Sequence, residues 1–411
     1  MIPPRERGRY NGYLGAVMAV ATVGGPLLGG LIVDTSWLGW RWCFFIGVPF
    51  GLAAFALLHR TLHLPTVRRA NVTIDYLGAG LIAVGVSTLL IWITFVGEAF
   101  AWLSWPTAAM VLPALAVLAL ATWVEKRAAQ PVSPLEVIRQ KVPALAIVAS
   151  LAVGMAMFGG AVFLGQYFQI GRGYTPTEAG LVMIPMMAGV LGASIVSGRL
   201  ITRTGKIKPY IIIGAVLLVA GFVVLGFMDH QTPLWTLWAG MLLVGAGVGM
   251  TMQNLVLAVQ NAVALRDLGA SSGAVTFFRS LGGTAGVAVL GAVLANRVAE
   301  TITQNLTRAG IPVAPGGGGG TLDLASLPEP VREIVRASYG DATGLIFLIS
   351  AGIAVVGLVA ALLMPKVVLR TSIDLPAKDP MGTDGLPETA EAIEAVDGTT
   401  HRTGASSGHG R

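Results

Sequence analysis

Apolar segments of about 20 residues recur ten times along the chain, and this pattern constrains its fold more than any other feature. An α-helix rises about 1.5 Å per residue, so each segment can cross the hydrocarbon core of a bilayer, which is about 30 Å thick. Only 12% of the residues are charged, about half the share found in soluble domains. The sequence therefore predicts an all-α polytopic membrane protein with spans near 12–33, 42–59, 76–96, 107–124, 143–168, 179–197, 210–228, 234–259, 270–295 and 343–364.

Lysine and arginine are concentrated in alternate connections, as they are in loops that stay in the cytoplasm. One set of connections contains 17 of these residues, whereas the short loops of the opposite set contain two, Arg41 and Arg172. The sequence therefore predicts that both termini are cytoplasmic and that the chain is a multi-pass protein of the cell membrane, the plasma or inner membrane. The long connection 296–342 is predicted to be external. The tail 371–411 has seven acids and almost no large apolar residue, which predicts a disordered cytoplasmic segment.

Several classes of function are excluded by the same pattern. The net charge of +6 comes from short basic clusters between apolar spans, so it does not indicate nucleic-acid binding. A single cysteine, Cys43, cannot form an intrachain disulfide, and no Cys/His spacing suits a metal. The five histidines are scattered, and no span carries a cluster at catalytic spacing. We therefore expect no enzyme activity, no catalytic residue and no metal site.

An internal repeat relates the first predicted span to the ninth. At an offset of 261 residues, without gaps, the charged pair Arg5-Glu6 falls on Arg266-Asp267, and four glycines also match: Gly8 on Gly269, Gly12 on Gly273, Gly25 on Gly286 and Gly30 on Gly291. Chance matching of glycines is the alternative reading. If the repeat is real, each half contains six spans, and the first span of this chain is the fifth of its half. Four helices would then precede Met1 in a parent with fourteen spans.

The repeat also divides the chain into segments. Residues 1–62 are predicted to form the last two helices of an N-terminal six-helix bundle, and 63–142 an extra helix pair that links the bundles. Residues 143–370 are predicted to form the C-terminal six-helix bundle, which includes the external loop 296–342, followed by the tail 371–411.

Three motifs resemble a known family. They are Pro3-Pro4-Arg5-Glu6-Arg7-Gly8, then Gly25-Pro26-Leu27-Leu28-Gly29-Gly30, and Trp40-Arg41-Trp42 with Phe44 and Phe45. Together they resemble the fifth and sixth helices of the major facilitator superfamily, and more narrowly its fourteen-span drug:proton antiporter (multidrug efflux) branch. The segment from Gly198 to Lys206 resembles the superfamily's loop between the second and third helices of a bundle. The chain departs from the family where Thr202 replaces the usual acid and Gly47 a common asparagine.

The resemblance implies a transporter with a major facilitator-type helical bundle, of which this chain carries ten of fourteen helices. It implies export of small amphipathic compounds, drugs or antibiotics, by proton antiport and alternating access. The proton gradient would supply the energy, and no cofactor is expected. The implied partners are membrane lipid, the small-molecule substrate, protons and, in a cell with two membranes, a periplasmic or outer-membrane adaptor. Export of one dedicated metabolite and an inactive truncated fragment are the alternatives.

The first predicted span carries small residues every four positions, Ala21, Gly25 and Gly29, which allows close approach of another helix. Pro26 removes one backbone hydrogen bond and kinks or stiffens this helix. Plain close packing is one reading. The resemblance implies the other, in which Gly25, Pro26, Gly29 and Gly30 form the seam across which two bundles rock. On that reading, Gly25→Leu abolishes transport.

The basic loop after the sixth span contains the second motif, Gly198, Arg203, Gly205 and Lys206, with Arg199 and Lys208 beside them. Its charges are explained most simply by retention in the cytoplasm. The resemblance implies a cytoplasmic latch, in which Arg203 pairs with an acid or with the C-terminus of a neighbouring helix.

Polar residues inside the spans are candidates for a substrate cavity: Gln166, Tyr167, Gln253, Asn254 and Arg279. Each of them needs a partner in hydrocarbon, so hydrogen bonding between helices is the simpler alternative. Arg279 lies about 14 Å along its span, and we expect it to face the bundle interior or a wet cavity. A structural contact with backbone carbonyls or polar side chains is the alternative for this residue.

The acidic residues are absent from the middle of every predicted span. All 21 lie in loops, at span ends or in the tail. Proton relays in transporters use intramembrane Asp, Glu or His. If the parent is proton-coupled, its proton-carrying acid is expected in the missing helices, and the chain alone is not expected to pump.

Overall fold

A computed structural model describes residues 4–35, 37–62, 75–96, 100–127, 139–264, 267–309 and 328–367, with only part of the side chains in the first helix. These residues fold into helices without strands. The helices are α1 Pro4–Asp34, α2 Trp42–Phe45, α3 Gly47–Thr61, α4 Tyr76–Phe95, α5 Trp105–Glu125, α6 Lys141–Gln166, α7 Pro176–Val182, α8 Ile184–Thr204, α9 Lys208–Gly226, α10 Leu234–Ala262, α11 Leu268–Arg308 and α12 Glu329–Leu363. A π-helical turn, Tyr167–Gly171, extends α6.

Nine segments of this described part are long and apolar enough to cross a membrane. They correspond to nine of the ten predicted spans, and the first predicted span lies within α1, whose side chains are incompletely described. The prediction of an all-helical membrane fold is therefore confirmed. The tail 371–411 lies outside the described residues.

Local sequence signals explain where several helices begin and end. The Thr175 hydroxyl accepts a hydrogen bond from the backbone N–H of Glu178, and the Glu178 carboxylate accepts one from the N–H of Thr175, which together cap the start of α7. Gly205 ends α8 with φ +69°, a conformation in which a side chain would be strained. The chain then reverses into α9.

Six long helices, α6 and α8 to α12, pack together around an apolar core. Glycines allow several of these helices to approach closely. A Cβ on Gly245 of α10 would lie 3.0 Å from the carbonyl carbon of Met186 in α8. At the preceding residue of α10, a Cβ on Gly221 of α9 would lie 2.6 Å from the backbone N of Val244. Helices in lipid gain much of their association energy from such contacts between small residues and backbone.

α1 packs closely against α7 and α8, whereas α2 to α5 pack more loosely against the six-helix unit. α4 and α5 pack against each other, where Gly85 meets the side chain of Leu118, and α4 also touches α11. None of the residues of α2 or α3 is buried. The six-helix unit covers the range assigned to a C-terminal bundle, but the division into two bundles and an extra pair stays a prediction.

One predicted boundary requires correction. The connection 296–342 was expected to be a loop, but α11 continues to Arg308 and α12 begins at Glu329. Hydropathy marks where apolar residues end, whereas a helix continues through polar residues that favour it. In these extensions Asn305 Nδ2 donates a hydrogen bond to Ser338 Oγ at 3.0 Å, so the two helices stay in contact beyond the apolar segment. The glycine run 316–320 lies outside the described residues.

Candidate functional site

The surface between α1 and the six-helix unit is the main candidate site, and we call it the seam. It consists of Gly24, Leu27, Gly30 and Asp34 of α1 with their partners on α7 and α8. A Cβ on Gly30 would lie 2.5 Å from the carbonyl carbon of Pro176 and 2.9 Å from the backbone N of Thr177. The backbones of α1 and α7 therefore touch at this point, which only a glycine permits.

Contacts farther along the seam show that α1 runs antiparallel to α7 and α8. A Cβ on Gly180 would lie 2.5 Å from the Cα of Leu27, and a Cβ on Gly24 would lie 3.3 Å from Cε of Met187. Residue numbers thus fall on α1 as they rise on the facing helices. The positions Gly24, Leu27 and Gly30 are spaced by three residues, which defines the contacting face of α1.

This face differs from the one that the sequence pattern predicted. Nothing lies within 4 Å of a Cβ placed on Gly25 or Gly29, and Ala21 and Gly25 are exposed. Each residue advances about 100° around a helix, so a shift of one position turns a side chain well away from its neighbour. Of the predicted seam glycines, Gly30 lies in the seam and Gly25 and Gly29 do not. Pro26 lies within α1, but its side chain is outside the description.

A hydrogen bond crosses the seam at the end of α1. The backbone N–H of Thr177 donates to Oδ2 of Asp34 at 2.8 Å, between residues 143 positions apart. A carboxylate beside the N-terminus of a helix is favoured by the helix dipole and by unpaired N–H groups. Asp34 is exposed, so water reaches this contact. The sequence pattern gives no sign of this contact, because the partner of Asp34 lies in a distant segment.

Gln253 of α10 reaches the opposite part of α1. A Cβ on Gly15 would lie 2.6 Å from Cγ of Gln253 and 3.6 Å from Oγ of Ser194. Gln253 is half-buried. It therefore lies where α1 meets α10, and its place beside a substrate cavity stays a prediction.

Arg279 lies in the interior, as the sequence predicted. Its side chain is 5% exposed, and its Nη1 donates a hydrogen bond to the backbone O of Met252 at 3.3 Å. Its backbone carbonyl is packed against Gly154 of α6, where an added Cβ would lie 2.8 Å from the carbonyl carbon. A buried arginine in a bilayer costs about 2.5–3.5 kcal/mol on insertion scales.

Asn254 joins two helices and is fully enclosed. Its Nδ2 donates to Oγ of Ser197 at 3.1 Å and to the backbone O of Met250 at 2.6 Å. The side chain is 2% exposed. These contacts support the simpler alternative given for this residue, a hydrogen bond between α8 and α10.

Gln166 and Tyr167 hold the end of α6 that is predicted to be external. The Tyr167 hydroxyl donates to the backbone O of Asp229 at 2.7 Å and accepts from Nε of Arg172 at 2.9 Å. Oε1 of Gln166, an exposed residue, accepts from the hydroxyl of Tyr339 at 2.9 Å. The two residues therefore join α6 to the connection between α9 and α10 and to α12. Their place beside a substrate cavity stays a prediction.

The basic loop between α8 and α9 makes a contact with a helix C-terminus, but through a different residue than expected. Nζ of Lys208 donates to the backbone O of Leu362, in the last turn of α12, at 2.8 Å. Arg203 and Lys206 are exposed, and Gly198 is buried in α8. Within the part of the chain that the structure describes, no ion pair or side-chain hydrogen bond involves Arg203. The contact with a helix C-terminus that the resemblance implies for Arg203 is thus made by Lys208, whereas a role as a cytoplasmic latch stays a prediction.

Comparison with known proteins identifies the family. The sequence pattern of the Major Facilitator Superfamily matches residues 1–287, which include α1 to α10, the seam and Arg279. The chain belongs to the Major Facilitator Superfamily. The helical fold that the resemblance implied is therefore confirmed.

Several curated relatives carry transporter names. An uncharacterized MFS-type transporter of Mycobacterium tuberculosis is 36% identical over 397 residues, which are 96% of this chain and 57% of that protein. The multidrug transporter protein MdtP of Bacillus subtilis is 33% identical over 304 residues, 74% of this chain and 55% of the relative. The multidrug resistance protein Stp of Mycobacterium tuberculosis is 33% identical over 333 residues, which are 81% of this chain and 58% of that protein. The chain thus spans little more than half the length of these superfamily members.

Proposed function

We propose that this protein exports small amphipathic compounds from the cytoplasm by proton antiport, with alternating access between two helical bundles. Membership of the Major Facilitator Superfamily and the names of the multidrug relatives support this proposal. Proton coupling and the fourteen-span architecture rest on the resemblance of the motifs. The proton gradient supplies the energy, and the substrate, protons and surrounding lipid are the partners.

The seam is the observation that carries the proposal. Alternating access requires two bundles to separate at one membrane face while they close at the other. The contacts at Gly24, Leu27 and Gly30 join glycines, backbone atoms and the apolar side chains of Leu27 and Met187. Such contacts can part without leaving many buried polar groups unpaired, which would be costly in hydrocarbon. A surface of this kind suits a moving interface.

The hydrogen bond from Thr177 to Asp34 closes the predicted external end of the seam. α1 and α7 touch at Gly30, a few residues before Asp34. An outward-open state must move these two helices apart at this end, and it must therefore separate Asp34 from Thr177. The exposed position of Asp34 lets water replace the lost hydrogen bond. We therefore propose that this contact forms and breaks once in each transport cycle.

The function is tested by expressing the gene from its own genomic segment, upstream sequence included, in a bacterial strain that lacks its own efflux pumps. We expect export of several chemically unrelated aromatic dyes from everted membrane vesicles, and loss of export when a protonophore collapses the gradient. Export of one compound class alone would favour the alternative, a dedicated metabolite exporter. Export that persists without a proton gradient would contradict antiport.

The seam motion is tested by a reversible cross-link. Asp34→Cys and Thr177→Cys are introduced together in a Cys43→Ser background, which removes the natural cysteine. Oxidation is expected to stop export and reduction to restore it, because the disulfide holds α1 against α7. Asp34→Cys alone is the control and should be insensitive to oxidation. Full export by the cross-linked protein would show that these helices do not separate.

A further inference from the structure

Arg279 is a buried cation whose charge is not matched by the part of the structure around it. The guanidinium has five N–H donors, and the structure gives it one hydrogen bond, to the backbone O of Met252 at 3.3 Å. The ion pairs among the described residues join His230 with Asp341, Arg297 with Glu300, and Arg332 with Glu329. Within 139–264, 267–309 and the other described ranges, Arg279 is therefore a charge without an ion-pair partner.

A single long hydrogen bond to a carbonyl does not explain an arginine at this place. A glutamine or a lysine could donate one hydrogen bond to Met252 with fewer unmatched N–H groups. An arginine is distinguished by its planar fork, which binds a carboxylate through two parallel hydrogen bonds. Ionisable residues inside a membrane are costly, and they mark substrate or ion pathways.

The position of Arg279 is fixed on both sides. Its backbone is held against α6 by the close contact with Gly154, and the next turn is held in the same way, because a Cβ on Gly282 would lie 2.7 Å from the Cα of Leu151. Its side chain reaches Met252, and the next residue of α10, Gln253, contacts Gly15 of α1. The guanidinium is thus bonded to the residue of α10 that precedes Gln253, which lies where α1 meets α10. The close packing of α11 against α6 fixes the position of Arg279.

We propose that Arg279 is an anion-recognition point on the substrate path, and that the protein carries acidic amphipathic compounds whose carboxylate pairs with its guanidinium. This inference rests on the transport function proposed above and names its substrate class. An anionic ligand satisfies the unused N–H donors and neutralises the buried charge. A cationic compound of the same shape meets like charge in a medium of low dielectric constant and is disfavoured.

A binding experiment compares three fluorescent probes of similar size: dansylglycine, which is an anion, dansylglycinamide, which is neutral, and dansylethylenediamine, which is a cation. Binding to the purified protein, expressed from its genomic segment, is followed by dansyl fluorescence in detergent. We expect dansylglycine to bind at least about tenfold more tightly than the amide, and the cation to bind most weakly. Equal affinity for the three probes would overturn the proposal.

Variants separate recognition from structure. Arg279→Gln should lower the affinity for dansylglycine about tenfold or more and leave the amide within about twofold. Arg279→Lys keeps the charge but loses the fork, so it should recover part of the preference for the anion. Arg297→Gln is the matched control, an exposed arginine of the same helix, and should change neither affinity. If Arg279→Gln lowers the affinity for all three probes equally, Arg279 has a structural role and the inference is overturned.

Export assays distinguish this inference from the proposed function. If everted vesicles export the amide or the cation but not dansylglycine, transport stands and acid recognition fails. If they export none of a broad panel while dansylglycine still binds in an Arg279-dependent way, acid recognition stands and the proposed transport function fails.

Discussion

Gly30→Ala tests the seam with the smallest possible change. The added Cβ would lie 2.5 Å from the carbonyl carbon of Pro176 and 2.9 Å from the N of Thr177. Both are backbone atoms, so neither can rotate away. Carbon atoms need a separation of about 3.5 Å, so α1 must withdraw by about 1 Å from α7 at this point.

The cost of this withdrawal follows from packing. Overfilling a close-packed contact costs about 1–3 kcal/mol, against a gain of up to about 1 kcal/mol when alanine replaces glycine within a helix. The shift also stretches the hydrogen bond from Thr177 to Asp34, which measures 2.8 Å. We therefore expect Gly30→Ala to lower the unfolding temperature slightly and to slow export more clearly, because the external end of the seam no longer closes.

Gly25→Ala is the matched control on the same helix. Nothing lies within 4 Å of a Cβ at Gly25. The variant should therefore gain the stability that alanine gives to a helix, without a steric clash. Thermal unfolding in detergent, followed by tryptophan fluorescence, and export from everted vesicles measure the two effects. If Gly25→Ala proves as damaging as Gly30→Ala, or more so, the contacting face of α1 has been assigned wrongly and the prediction from the sequence motif is restored.

Three further predictions concern single contacts. Asn254→Ala removes the buried hydrogen bonds from Nδ2 to Ser197 Oγ and to the carbonyl of Met250, and it should cost about 1–3 kcal/mol of stability in thermal unfolding without altering probe binding. Gly205→Ala should cost about 1–2 kcal/mol, because φ is +69° there, whereas its open surroundings exclude a clash. The hydroxyl of Thr232, followed by backbone N–H groups, lowers the pKa of Asp229 below its usual 3.8. Thr232→Val should therefore destabilise the protein more at neutral pH than below that lowered pKa, where the loss is reduced to the pH-independent hydrogen bond from the Asp229 N–H to the hydroxyl.

The positions of the spans could be predicted because a helix that is surrounded by lipid needs about 20 apolar residues, which are visible in the sequence. The seventh span was expected at 210–228, and α9 runs from Lys208 to Gly226. The helical ends beyond residue 296 and before 342 escaped prediction, because their residues are polar. Once outside the apolar layer, a helix depends on local pairs such as Arg297 with Glu300 and on contact with its neighbour.

The candidate site could be predicted less well, because a glycine pattern gives the presence of a close contact but not its direction. Both the set Gly25 and Gly29 and the set Gly24 and Gly30 were available in α1. The choice between them depends on how α1 is rotated against α7. The burial of Arg279 was predictable from its charge within an apolar run, whereas its contact with Met252 required the fold.

The internal repeat, if real, offers a reason why one helix carries glycines on two faces. Gly286 of α11, the repeat partner of Gly25, packs inside the six-helix unit, where a Cβ would lie 2.6 Å from Cγ of Met155. Gly30 packs across the seam, whereas nothing lies within 4 Å of its repeat partner, Gly291. The two positions are five residues apart, about 140° around a helix. If the repeat is real, the first position serves contacts within a bundle and the second contacts between bundles. Gly286→Ala should then affect stability before transport, because its added Cβ meets Met155, whereas Gly30→Ala should affect transport before stability.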